Sequence, residues 1–146
     1  MAGTYFKLND REVRRDLKAF MRQAGDLSPA YKAFGEYMLN VTGDRFSGEH
    51  SPEGRAWQPL SPETLESKKG AKILTESGQL RNSIIYSAKP ERFAYGTNKI
   101  YGAIHQFGGK AGRGRKVTIP ARPYLGIAAA DMEEFGETLR DHLEDR

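Results

Sequence analysis

The chain has 146 residues, 23 Lys and Arg against 19 Asp and Glu, a hydrophobic share of 38% and no cysteine. That length suits one domain over residues 1–146, and the low hydrophobic share implies a thin core or a subunit that completes its burial in an assembly. Disulfides and thiolate chemistry are excluded, no apolar run approaches the roughly 18 residues that span a bilayer, and no signal-peptide core is present, which points to synthesis in the cytosol and no membrane role.

Residues 9–24 read as a helix capped by Asn9 or Asp10, with Val13, Leu17, Phe20 and Ala24 on one buried face and Gly25 at its end. Ser28 caps a second helix with Pro29 at its first position, and Tyr31, Phe34, Met38 and Val41 form its apolar stripe, continuing towards Phe46. So short a connection predicts that the two helices lie side by side or form a hairpin. Residues 47–60 are a loop that carries Trp57, the only tryptophan. Ser61 and Pro62 open a short helix that Gly70 closes, and residues 74–83 are a turn leading into a brief helix or a strand.

Ile84–Ala88 and Arg92–Thr97 are strand-like and flank a Lys89–Pro90–Glu91 turn, so they predict an antiparallel hairpin with Ile84, Tyr86 and Ala88 on one face. Tyr101–Gly109 reads as a rigid apolar turn. The glycine-rich stretch 109–115 reads as a flexible basic loop, and Lys116–Ile119 as a third strand that Pro120 ends. Prolines 120 and 123 make Ile119–Gly126 extended and stiff. Ala128, Met132, Phe135, Leu139 and Leu143 define a long amphipathic C-terminal helix. The predicted architecture is α+β: two N-terminal helices, a small antiparallel sheet of three or more strands covered by helices on one face, and the C-terminal helix.

Charge is uneven along the chain. Lys110, Arg113, Arg115, Lys116 and Arg122 put five cations and no anion into 110–122, whereas 131–146 holds seven acidic residues against two basic ones. The two regions can attract each other within the chain or between neighbours.

The search for chemistry is mostly negative. His50, His105 and His142 show no metal-ligand spacing, and no cysteine completes a zinc site. His105 as a general base needs a carboxylate or hydroxyl partner that the sequence does not identify, so the favoured reading is a structural histidine bonded to a backbone carbonyl, with Gln106 structural beside it. No GxSxG elbow occurs, and Gly108–Gly114 lacks the order and following helix of a phosphate loop. No cofactor is implied. Lys110, Arg113, Arg115 and Lys116 can lie along a phosphate backbone, which makes a small basic nucleic-acid-binding module the alternative reading, although no aromatic residue in the loop can stack a base. Trp57 and Tyr124, both near prolines, are candidate interface anchors or core plugs, and for Trp57 the core is the favoured place.

Several segments in order also carry a family likeness. They are Arg45-Phe46, Trp57 through Thr64, Lys68, Ile73-Leu74, Ser77 through Leu80, Ser83-Ile84, Gly96-Thr97, Tyr101 through Gly109 and Ala121 through Gly126. In these the chain resembles the phage virion morphogenesis or tail completion family, of the Mu protein G and tail completion protein S types. Ser77 and Gly102 depart from it, since many members have threonine and alanine there. The resemblance implies a non-enzymatic structural protein of the virion, acting at the head–tail neck and assembled in the host cytoplasm. It implies neck or tail partners such as a tail terminator or head–tail connector but does not settle copy number, for which the expectation is a homo-oligomeric ring, of six subunits if it matches tail symmetry. Trp57, Tyr101, His105, Gln106, Phe107, Arg122, Pro123 and Tyr124 would then be structural or interfacial residues. The basic 110–116 segment would meet an acidic neighbour or DNA in the lumen.

Overall fold

In the computed structural model, which describes residues 4–6, 11, 14–15, 18–19, 22, 25–67, 72–75 and 78–144, the longest element is helix α1, Ser28–Gly48. Tyr31, Phe34, Met38, Thr42, Arg45 and Phe46 recur at three- and four-residue intervals and are all buried. Thr42 takes the place on this stripe that Val41 was expected to hold. Asp26, not Ser28, satisfies the helix start: its carboxylate accepts the Ser28 backbone N–H at 2.8 Å and the Ser28 hydroxyl. Glu49, in the left-handed conformation with φ 55°, ends the helix by donating its N–H to the Arg45 carbonyl.

The main sheet has three antiparallel strands in the order β1 (Thr4–Phe6), β3 (Arg92–Thr97), β2 (Ile85–Lys89). The β2–β3 hairpin pairs Ile85 with Gly96 and Lys89 with Arg92, so Tyr86, Ala88, Phe93 and Tyr95 share one face. That face carries the core: α1 packs on it, and the C-terminal helix α5 (Ala129–Glu144) packs on α1. Phe34 sits 5.2 Å from Phe93 and 4.8 Å from Phe135 between ring centroids, while Phe135 stacks on Tyr31 at 5.8 Å. Gly35 lets α1 approach the sheet, because a Cβ there would lie 2.5 Å from the Tyr86 ring. Gly35→Ala should therefore destabilise the chain by about 1–3 kcal/mol in urea unfolding, through overpacking and not through helix propensity.

The described residues also form three short helical pieces, α2 (Pro62–Ser67), α3 (Gln79–Asn82) and α4 (Gly102–Phe107). Ser61 caps α2 by accepting the Thr64 N–H. Among the described residues no helix is long and apolar enough to cross a membrane.

The sequence expectations change at several points. The third strand of the main sheet is β1, paired through Thr4–Thr97 and Phe6–Tyr95, and not the segment near 116–119. That segment, β5 (Val117–Ile119), pairs with β4 (Gly109–Ala111) in a separate two-stranded ribbon, in register Gly109–Ile119 and Ala111–Val117. The 109–115 stretch, expected to be a loop without regular structure, is thus one strand of this ribbon and a 3-10 turn, Arg113–Arg115, at its tip. Its glycines serve turns: Gly112 and Gly114 have φ near 81° and 71°, a region that other residues enter only with strain. Tyr101–Gly109 contains a helical turn and a half, α4, which Gly108 ends at φ 76° with its would-be Cβ 2.8 Å from the Ala121 nitrogen.

The expected first helix, 9–24, falls largely outside the described residues, including its apolar face Val13, Leu17, Phe20 and Ala24. So does its packing against the second helix, as do Lys68, Gly70 and Ser77. Within 9–24, Arg11, Arg14, Arg15, Lys18, Ala19 and Arg22 are described, and each is helical and exposed.

Candidate interaction surface

Residues 122–126 run extended through the interior without a strand partner, and side chains from four other elements take the place of one. The Trp57 indole donates to the Pro123 carbonyl at 2.7 Å. The Gln106 side-chain oxygen accepts the N–H groups of Tyr124 and Leu125, both at 3.0 Å, while its amide donates to the Leu125 carbonyl at 2.9 Å. Arg45 donates to the carbonyls of Tyr124 and Gly126 at 3.0 and 2.9 Å. The Tyr95 hydroxyl accepts the Gly126 N–H at 2.7 Å and donates to its carbonyl at 3.0 Å. Prolines at 120 and 123 remove two donors that would otherwise need partners, so every remaining polar group from Pro123 to Gly126 is satisfied.

Arg45 and Asp131 anchor this arrangement. They form a buried ion pair at 3.0 Å, with side chains 2% and 4% exposed. Asp131 also accepts the Tyr37 hydroxyl at 3.0 Å and, from the first turn of α5, the Ala128 N–H at 2.8 Å. One carboxylate thus fixes helix α1, helix α5 and the end of the extended segment. Burial first, and then the bond to Asp131, pushes the Tyr37 phenol up to about 12, which keeps it a donor. Asp131 had been grouped with the acidic C-terminal stretch that attracts the basic loop, but it is buried against Arg45 and unavailable for that contact.

Arg122 frames the other end. Its backbone N–H meets the His105 carbonyl at 2.7 Å, and its guanidinium donates to the carbonyls of Gln58 and Pro59 at 2.8 and 3.1 Å. Trp57 and Tyr124 are both core residues, with Phe46 5.7 and 5.5 Å from their ring centroids. Tyr124 reaches α4, where its hydroxyl donates to the Gly102 carbonyl at 2.7 Å, and burial pushes its pKa upward. A Cβ at Gly102 would lie 2.9 Å from that hydroxyl, so the glycine and the bond go together.

His105 departs from the expected structural bond. Its ring makes no hydrogen bond to a carbonyl: Nδ1 is buried without a partner, and only the backbone carbonyl is used. The ring lies edge-on to Tyr101 at 6.1 Å between centroids, and neither a carboxylate nor a hydroxyl is bonded to it, so the general-base geometry is not assembled among the described residues. Burial first, and then the Arg122 charge, hold its pKa below the ordinary histidine value. The folded state therefore favours neutral His105. Its contribution is intact above the unfolded histidine pKa of about 6.5 and is lost as pH falls through the lower folded value. His105→Gln should flatten the stability loss below about pH 6.5, as read from urea midpoints across pH.

Above this scaffold lies an open groove of about 630 Å³. Its lining comes from three stretches of chain, Gln58 to Ser61 with Thr64, Leu74 with Leu80, and Val117 to Pro120 with Arg122, joined by Tyr101 and His105 of the α4 region. Two large apolar side chains of its lining face solvent, Val117 (53% exposed) and Tyr101, and the exposed Ile100 (92%), Phe107 (68%) and Leu65 each stand within two residues of a lining residue in the chain. Their grouping beside a groove is the usual mark of a contact surface and not of a sealed reaction site. Lys110, Arg113, Arg115 and Lys116 are all exposed on the ribbon that extends from the groove wall. Among the described residues no group of His, Asp or Glu could hold a metal ion.

Arg45, Asp131 and Tyr95 hold this region although none was among the site residues expected from the sequence. A signal existed for the first two: each is an ionisable residue falling on the apolar stripe of a long helix, and the two have opposite charge.

The chain matches the model of the phage virion morphogenesis family over residues 8–144. It is 32% identical to the Mu-like prophage FluMu G protein 2 of Haemophilus influenzae, across 93% of this chain and 92% of that protein. It is 31% identical to the putative capsid assembly protein G of Escherichia phage Mu, across 73% of this chain and 72% of that protein. For the tail completion protein S of Escherichia phage P2 the identity is 28%, across 68% and 73%. No solved structure gives a significant match.

Proposed function

The chain belongs to the phage virion morphogenesis family, and we propose that it completes the phage tail at the neck and makes it competent to join the head. The observation that carries this reading is the family match over nearly the whole chain, with one relative named for tail completion and another for capsid assembly. The geometry supports it. The motif residues Trp57, Gln106, Arg122, Pro123 and Tyr124 spend their polar groups on holding an extended segment, and what remains outside is an apolar groove rim and a basic ribbon. Such a surface binds other proteins, and the chain acts by assembly and not by catalysis.

In this reading the subunits form a homo-oligomeric ring, with six copies to match tail symmetry, and each subunit uses two unlike faces. The groove and its rim, with Tyr101, His105 and Phe107, receive another neck or tail protein, of the tail terminator or connector type. The protein is built in the host cytoplasm and stays in the virion. Electron microscopy of a lysate from phage lacking this gene tests it: separate heads and tails support the reading, and normal joined particles overturn it.

The exposed ribbon favours one addition, contact with DNA passing through the ring. Replacing Lys110, Arg113, Arg115 and Lys116 with alanine should leave stability within about 0.5 kcal/mol, since all four are exposed. The same change should reduce the salt slope of duplex binding by about 3–4, as measured by fluorescence anisotropy across salt concentrations. Absence of wild-type duplex binding at low salt would remove the DNA contact.

A further inference from the structure

Two charged faces of this chain carry no ion pair among the described residues. On α5, Met132, Phe135, Leu139 and Leu143 pack on the core, which turns Glu133, Glu134, Glu137, Asp141 and Glu144 to solvent. At 100° per residue these five carboxylates fall within an arc of about 100°, with Arg140 at its edge. Near the N-terminus, Arg11, Arg14, Arg15, Lys18 and Arg22 are each helical and exposed. The same helical period places these five cations within an arc of about 100° as well. At the helical rise of about 1.5 Å per residue, the spacings from Arg11 to Arg22 and from Glu133 to Glu144 both correspond to about 16 Å, so the two sets of charges match in span, arc and number with opposite sign. None of the ten is ion-paired to another described residue. Because both faces are exposed in one subunit, they do not cover each other there.

We propose that the acidic face of α5 docks on the basic 11–22 face of a second copy of this chain. The contact is heterologous, since each copy offers a different face to each neighbour. Repetition therefore yields a ring or a chain of subunits and not a closed pair. The inference rests on the reading of this protein as a self-assembling virion component and names the surface that does the assembling. It leaves the ribbon cations free for another partner. Exposed charges are screened over about 10 Å at 0.1 M salt and about 3 Å at 1 M, so the association is salt-sensitive.

Light scattering of the full chain after size exclusion tests it. At about 50 mM NaCl the molar mass should be a multiple of 16.3 kDa, falling to that value near 1 M. Two charge-reversed chains, R14E/R15E/K18E and E133K/E137K/D141K, should each be monomeric alone at low salt and assemble when mixed. The milder E133Q/E137Q/D141N set, which introduces no opposite charge that could unfold the helix, should shift wild-type assembly towards monomer. Assembly of either reversed chain alone, or a mixture that stays monomeric while both chains melt cooperatively, overturns the proposal. So does loss of duplex DNA binding by R14E/R15E/K18E with self-association unchanged, which would assign the basic face to nucleic acid. A monomeric mixture beside a gene-deleted lysate of separate heads and tails sinks this contact alone and spares the function.

Discussion

Asp131→Ala should lower the unfolding free energy by about 3–5 kcal/mol, the largest single effect expected outside the aromatic core. The substitution leaves the Arg45 guanidinium buried without a counter-charge, while its two carbonyl partners at Tyr124 and Gly126 cannot neutralise it. It also removes the acceptors of the Tyr37 hydroxyl and the Ala128 N–H, so the first turn of α5 loses its cap. Arg45→Ala should cost a similar amount for the mirror reason, and additionally leaves the buried Tyr124 carbonyl without a donor, while the Gly126 carbonyl keeps the Tyr95 hydroxyl. The pair is thus expected to be strongly coupled: the double replacement should cost clearly less than the sum of the singles in a urea double-mutant cycle. A cost below about 1 kcal/mol for either single change would mean that the pair does not hold α1, α5 and the extended segment together.

The second large effect is expected at Gln106. Gln106→Leu keeps much of the volume but leaves the N–H groups of Tyr124 and Leu125 and the carbonyl of Leu125 without partners in a buried place. At about 1–3 kcal/mol for each unsatisfied group, the total should reach about 3 kcal/mol or more. For a chain of this size that corresponds to a fall in Tm of about 10 °C. Gln106→Glu should be milder, since the neutral acid that burial favours still accepts both N–H groups through its carbonyl oxygen and can donate its O–H to Leu125. The order wild type, then glutamate, then leucine in calorimetry distinguishes this bonding role from simple packing, which would rank leucine no worse than glutamate.

These two sites show where the sequence was legible and where it was not. The stripes of α1 and α5 could be read because the 3.6-residue period persists over four turns or more, and the hairpin because alternation at 84–88 and 92–97 brackets a proline turn. Strand β1 could not, since three residues carry too little periodicity to tell strand from loop. The ribbon is not legible in the sequence because glycine marks both mobility and tight turning, and only the paired register of 109–111 with 117–119 decides between them. Serine before proline is a common helix start, yet the Ser28 side chain accepts no N–H of the first turn, and its own N–H and hydroxyl both donate to Asp26 two residues earlier. Within the site, the prolines at 120 and 123 announced an extended segment, but not that Gln106, Arg45 and Tyr95 would stand in for its missing strand partner. Such a role depends on contacts across 18 to 81 residues of sequence separation, and no local pattern encodes them.

The scaffold and the function meet at one point. If residues 122–126 are held rigid in order to present the groove and ribbon to a neighbouring neck protein, then joining should depend on this chain as a folded part and not as a source of chemistry. The most direct test adds purified protein to a lysate of phage lacking the gene and counts joined particles by electron microscopy and infective particles by plaque assay. The account predicts that separate heads and tails in that lysate are converted to joined, infective phage by the wild-type chain. Particles already joined without the protein, or separate parts that stay separate after it is added, would contradict it.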